Sequence, residues 1–189
     1  MIKAAYTNKG LVVDILAKSF ETNQSVNYIV RQDKKRLNRV RYLMEYSFEV
    51  CFLFGDVFLS PDKKACALVL YPERKKTTFK SILLDLKLIL FSVGFSNIRK
   101  TLAREAMIKK KQPQEQMTYL WFIGVDPAYQ NTGIGTQLLQ DIIQHSRLKN
   151  RPVYLETSTA KNLPWYKKVG FQIYEELELT YKLFFLRYG

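Results

Sequence analysis

The sequence predicts a mixed α/β (α+β) fold, and three features predict it. Seven short β-prone apolar runs are spread through the 189 residues. Between them lie stretches whose apolar residues recur at helical spacing. One stretch, Leu120 to Leu148, reads without interruption as strand, glycine-bearing turn and helix. A hydrophobic share of 47% at this length suits one domain, residues 1–189, with a sizeable core rather than a disordered chain.

The elements follow in order. Ile2 to Tyr6 reads as a first strand. Lys9 to Phe20 reads as a helix, with Leu11, Ile15 and Leu16 at helical steps and Val12 and Val13 between them. Asn23 to Ser47 is a longer helical stretch with two apolar patches: Val26, Ile29 and Val30, then Leu37, Val40, Leu43 and Met44. The basic residues around them, from Arg31 to Arg41, read as a solvated face or a ligand-binding patch, the first being favoured. Val50 to Leu59 is strand-like, interrupted at Gly55-Asp56. Ser60 to Lys64 is turn chemistry. Ala65 to Tyr71 is an apolar run stopped by Pro72, so it pairs with Val57 to Leu59 as an antiparallel hairpin.

Residues 73–112 form a basic helical segment. Phe79, Ile82, Leu83, Leu86, Leu90 and Val93 share one helical stripe, Gly94 ends that helix, and a second runs from about Ser96 to Lys110. Eleven Lys or Arg against Glu73, Asp85 and Glu105 give this segment +8 of the chain's +13. Three readings stand beside one another. The stripe packs and completes the core, which is the favoured reading. It caps an acceptor pocket. Or it lies on anionic lipid, as a basic amphipathic helix does.

Leu120 to Val125 is a strand ended by Asp126-Pro127, because proline has no N–H for a ladder. A helix begins at Ile134, with Leu138, Leu139, Ile142 and Ile143 on its apolar side. The turn between them has a definite electrostatic use. Several main-chain N–H groups point into one concavity, and the helix N-terminus adds partial positive charge. Gly133 and Gly135 let the backbone approach a bulky anion, so the turn is a phosphate site. A nucleotide-triphosphate loop would need a lysine after the last glycine, and a dinucleotide turn would need glycine where Leu138 stands.

Gln130-x-x-Gly133-x-Gly135, directly after a strand, fits the pattern Q/R-x-x-G-x-G/A. A second strand, Pro152 to Ser158, is followed by Asn162-Leu-Pro-Trp-Tyr166-Lys-Lys-Val-Gly170-Phe171, which fits N-x-x-x-Y-x-x-x-G-F. Two motifs in this order resemble the GNAT superfamily of acetyl-CoA-dependent N-acetyltransferases. The resemblance is close from Thr118 to about Tyr188 and loose before that. It implies a mixed, mostly antiparallel twisted sheet of about seven strands with helices on both faces. The fourth and fifth strands, about Thr118–Val125 and Val153–Thr157, would be a splayed parallel pair, and residues 73–112 a helical insertion between the third strand and the fourth. The C-terminal runs Gln172–Leu177 and Leu179–Tyr188 supply the last strands, completing one sheet or pairing with another copy.

The resemblance also implies a site. Backbone of Phe122, Ile123, Gly124 and Val125 contacts the pantetheine arm of coenzyme A. Gln130, Asn131, Thr132, Gly133, Ile134, Gly135 and Thr136 hold its diphosphate. Asn162 contacts the arm or a water, or else caps a helix. Tyr166 protonates the departing thiolate, or else is a core tyrosine. A phenol of pKa near ~10 donates to a thiolate of pKa near ~8.5 without a large mismatch. The acceptor amine needs a base, since an alkylammonium has a pKa near ~10.4. The family fixes no position for it. Glu156, a carboxylate inside a strand and on the side of Tyr154, is the first candidate; Glu45, Glu49 and Asp56 are weaker ones.

The remaining composition narrows the classes. His145 is the only histidine, so histidine-led triads and histidine-rich metal sites lose their support, and it reads as structural. Cys51 and Cys66 are too few for a disulfide framework or a zinc site, and neither falls in a motif for a covalent acyl-cysteine route. No apolar signal core stands at MIKAAYTNKG and no run has the length of a membrane span, so a cytoplasmic compartment is expected. The expected reaction is direct transfer of an acetyl group from acetyl-CoA, a cosubstrate, to a primary amine in a ternary complex, with no metal. The rival is a non-catalytic acyl-CoA-binding module whose basic helices hold an anionic partner. No aromatic-and-basic RNA motif is present, so no nucleic acid partner is expected. Either a monomer or a homodimer fits.

Overall fold

The computed structural model describes residues 1–189. The strands are β1 (Ile2–Lys3), β2 (Gly55–Leu59), β3 (Ala65–Leu70), β4 (Thr118–Val125), β5 (Val153–Thr157), β6 (Gln172–Glu178) and β7 (Lys182–Tyr188). The helices are α1 (Lys9–Phe20), α2 (Gln24–Ile29), α3 (Arg36–Phe54), α4 (Phe79–Leu88), α5 (Ile98–Lys111), α6 (Ile134–Arg147) and α7 (Leu163–Val169). One seven-stranded sheet runs in the order β1-β2-β3-β4-β5-β7-β6. Every pairing is antiparallel except β4 with β5.

Two apolar layers hold the sheet between its helices. On one face Val12, Ile15 and Leu16 of α1 and Leu43, Met44 and Phe48 of α3 pack on Val57, Cys66 and Leu68. On the other, Leu138, Leu139, Ile142 and Ile143 of α6 and Tyr166 of α7 pack on Ala67, Val69, Leu120, Val153 and Leu155. A smaller cluster joins Ile108 of α5 to Tyr181, Leu183 and Phe185. The 3.6-residue period of α1 and α6 is what lets each present one such stripe.

Three expectations are corrected. The long helical stretch Asn23–Ser47 is two helices. Val30 turns extended at ψ 134°, and Asp33 holds the intervening turn through the Lys35 N–H (2.9 Å) and the Arg39 guanidinium (2.7 Å). The strand-like start at Val50 is the last turn and a half of α3, and β2 begins only at Gly55. A short apolar run has no period that separates a buried helix end from a strand. Glycine marks the switch for a steric reason: a Cβ on Gly55 would lie 1.9 Å from the Val69 carbonyl oxygen. The first strand, read to Tyr6, is only two residues long.

A further correction concerns the insertion. α4 is capped by Thr78 and Ser81, each side chain accepting from the other's N–H (3.1 and 2.9 Å). It continues as a π-helical turn, Ile89–Val93, and stops at Gly94 with φ +71°. Beyond it α5 leaves at 102°. Of the stripe expected to complete the core only Val93 is buried, and the rest points outward: Phe79 is 85% exposed, Leu86 and Leu90 52% each. Its neighbours Leu84 and Leu88 face the core. Tyr46 donates to Asp85 (2.8 Å) and Ser92 Oγ to the Arg39 carbonyl (2.9 Å), and these bonds fix that rotation of α4 on α3.

Candidate active site

The glycine turn forms as the sequence predicts. Asp126 ends β4 and accepts from the Ala128 N–H (3.1 Å), and Pro127 opens a short 3-10 turn. Asn131 then takes φ +63° and Gly133 φ +85° before α6 begins. The first main-chain bond of the helix is Gln137 N–H to the Gly133 carbonyl, 3.0 Å. The N–H groups of Asn131 through Thr136 therefore donate to nothing within the chain. A Cβ placed on Gly133 would meet no atom within 4 Å, so the space above the loop is open to an anion. Gly135 is different: its Cβ would press on Val125 Cγ2 at 3.0 Å, so glycine there lets α6 sit against β4. Trp165 Nε1 donates to Thr136 Oγ1 (2.9 Å) and ties α7 to the same helix start.

Beside this loop the sheet opens. β4 and β5 pair only at Thr118–Val153 and Tyr119–Tyr154. From Leu120 onward the edge of β4 that faces β5 has no strand partner. The β3–β4 register slips between Leu68 and Val69, which pair with Phe122 and Leu120, so Trp121 is an extra residue in β4. Such a bulge bends the strand and breaks alternation: Trp121 and Phe122 both pack toward the α1–α3 layer, while Leu120 and Ile123 pack toward α6. The resulting cleft has a volume of about 550 Å³. Phe122 and Ile123 of β4, Glu156 of β5, and Asn162 and Tyr166 at α7 all line it. Asn162 is the residue preceding α7, yet its side chain makes no capping bond.

Two ionisable groups there are perturbed. Tyr166 is 6% exposed, and burial pushes its phenol well above the usual range. Its hydroxyl makes no hydrogen bond within the chain, and the residue borders the cleft. Burial also raises the Glu156 carboxyl above its ordinary value, although Tyr119 and Gln112 donate to it (Gln112 at 2.9 Å) and Arg104 opposes the rise. Tyr119, likewise buried and beside that carboxylate, is raised too.

The other carboxylates lie elsewhere. Glu45 and Glu49 border a separate hollow between α3 and α4, where Glu49 accepts from Tyr6 and Lys9. Asp56 is enclosed by Lys3, Tyr71 and Lys149 on the far side of the sheet. His145 packs edge-on against Phe58 at 5.1 Å, and burial lowers its pKa. Cys51 and Cys66 are buried, with thiols pushed up by burial.

The structure adds cleft residues that sequence reasoning missed. Gln112 comes from the end of the insertion and Tyr119 from β4. Arg104 of α5 ties the insertion across the cleft, donating to Tyr181 (2.9 Å) and to Ser25 (2.5 Å). Tyr119 had one signal, its place at the end of β4 that still pairs with β5. The others depend on where the insertion folds back.

The parallel strand pair that opens beside a loop of free amides is the arrangement that the resemblance in sequence implies. A model of the family described as "Acetyltransferase (GNAT) domain" matches residues 92–173. An N-alpha-acetyltransferase RimI of Mycobacterium tuberculosis is 48% identical over 52 residues, 26% of this chain and 32% of that one. A glucosamine 6-phosphate N-acetyltransferase of Trypanosoma brucei brucei is 39% identical over 51 residues, 27% of this chain and 35% of that one. The chain thus spans about a third of the length of either relative. The crystal structure of a histone acetyltransferase HPA2 and related acetyltransferase from Corynebacterium glutamicum shares the fold, with a TM-score of 0.70 at 18% identity, over 98% of this chain and 93% of that one. A GNAT family model thus covers residues 92–173, and the fold over the whole length is shared with an acetyltransferase of solved structure.

Proposed function

We propose that the chain is an N-acetyltransferase that moves the acetyl group of acetyl-CoA to a primary amine by direct attack in a ternary complex. One observation carries this reading: the unpaired edge of β4 leads from six free amides at Asn131–Thr136 to Glu156 and Tyr166 in one cleft. Acetyl-CoA supplies an acyl group activated as a thioester. The amides and the α6 N-terminus hold its diphosphate, because they are oriented donors at the positive end of a helix dipole. The unpaired backbone of Phe122 to Val125 pairs with the arm, as a strand pairs with an added strand. A β4 N–H donates to the acyl oxygen as charge develops there.

Two protons must move. Glu156 takes one from the acceptor's ammonium, directly or through a water, which frees the amine lone pair for attack; its raised pKa makes it a stronger base than an exposed carboxylate. Tyr166 gives one to the sulfur as the C–S bond breaks and the C–N bond forms. Its burial-raised pKa keeps the phenol protonated until the thiolate forms, though it also weakens it as an acid. No cysteine borders the cleft, which favours transfer without an acyl-enzyme.

The test is release of free coenzyme A from acetyl-CoA with a panel of small amines and N-terminal peptides. Amine-dependent release supports the reading. Coenzyme binding without release to any amine favours the rival, an acyl-CoA-binding module without transfer.

A further inference from the structure

The insertion turns one face to the cleft and another to solvent, and the second face has no use in acetyl transfer. Eight of the eighteen large exposed hydrophobic residues lie between Phe79 and Leu102, so they form a cluster rather than a scatter. Phe79, Leu83, Leu86 and Leu90 follow helical spacing along α4 and its π-turn, and Phe95 and Leu102 extend the patch past Gly94. The charge beside it is one-sided. Of the insertion's eleven basic residues, seven make no ion pair within the chain. Of these, Lys87 of α4 and Arg99 and Lys110 of α5 are exposed and away from the cleft, whereas Lys75, Lys76 and Lys109 line it and Lys100 lies 3.8 Å over the Tyr28 ring.

We propose that this outer face docks on an anionic lipid surface, with the Phe79–Leu102 patch in the headgroup region and the free cations on the lipid charges. Charge complementarity selects this occupant. A second copy docking through the same patch would oppose two segments of +8 each. A nucleic acid would leave the leucine and isoleucine stripe uncovered. An anionic membrane takes both features of the face, apolar and basic. No single helix is long and apolar enough to cross a membrane; Phe79–Val93 and Phe95–Lys111 reach that length only together, across a 102° bend, and the basic residues of the second helix fit a contact along the surface.

The contact does not depend on the transfer chemistry, and it is tested separately. The full chain is floated with phosphatidylglycerol vesicles and with phosphatidylcholine vesicles at low and raised salt. The same is done for the double variant Leu86→Glu, Leu90→Glu, whose fold is checked by circular dichroism and whose cleft is checked by acetyl-CoA binding. Neither side chain borders the cleft. The expected result is binding at least about tenfold stronger to the anionic vesicles, weakened by salt and lost in the variant. A second variant, Phe95→Ser, should weaken binding in the same direction. Absence of vesicle binding overturns the proposal. So does binding that the double variant retains in full, or a dimer in ultracentrifugation that buries the stripe in place of lipid. Failure to bind acetyl-CoA would sink the transferase reading and leave this one standing.

Discussion

In the proposed reaction Glu156 and Tyr166 divide the proton work, and each makes a separable prediction. Tyr166→Phe should lower kcat by about a hundredfold while leaving the affinity for acetyl-CoA within about twofold, because only the acid is removed. Glu156→Gln should lower kcat and also stabilise the fold at neutral pH. The sign follows from burial, which raises the carboxyl pKa in the folded state. Folding is favoured below the ordinary carboxylate pKa, where Glu156 is protonated in both states. That advantage is lost as pH rises through the folded value, where a buried charge must be carried. The variant never carries it, so its gain in Tm should be largest near pH 7 and shrink toward pH 4. Wild-type activity should fall as acid protonates Glu156, and the variant should lack that limb. Glu156 was legible in the sequence because a carboxylate inside an apolar strand is costly. Its partners Gln112 and Tyr119 were not, since a bond between residues 44 or 37 positions apart leaves no local pattern.

Periodicity decided which elements could be read in advance. α1 has the expected bounds because it is bounded by clear stops and shows one period, whereas the bounds of β4 and β5 were legible through the motif resemblance, the bulge at Trp121 having broken alternation in β4. α3 and β2 share the run Val50 to Leu59, where apolar residues fill both faces and no period distinguishes them. Only the close approach of Gly55 to β3 places the border, and that is a tertiary fact. Gly55→Ala should cost at least about 2 kcal/mol of stability in denaturant unfolding, since its Cβ meets backbone that cannot move aside. Leu139→Ala on α6 should cost about 2–5 kcal/mol, because Leu139 is fully buried between α6 and the sheet. The orientation of α4 was hidden for another reason. Its apolar residues occupy more than one side of the helix, and the bonds to α3 decide which side turns inward.

At the scale of the whole molecule, the donor site is an assembly of parts that are ordinary alone: a turn with free amides, a strand with a bulge, and a neighbour that departs after two pairings. The motifs made the loop and the tyrosine legible, and a cap from the insertion was one of three readings of it, whereas the bulge at Trp121 and the insertion residues that reach the cleft appeared only in three dimensions. The account stands on acetyl-CoA entering this cleft with its diphosphate on the Asn131–Thr136 amides. Isothermal titration of the protein with acetyl-CoA tests that most directly, run beside Gly133→Val, which strains a φ of +85° and fills the open space. The wild type should bind, and the variant should bind at least about tenfold more weakly with its circular dichroism unchanged. No binding by the wild type up to about 1 mM, or equal binding by the two, would contradict it.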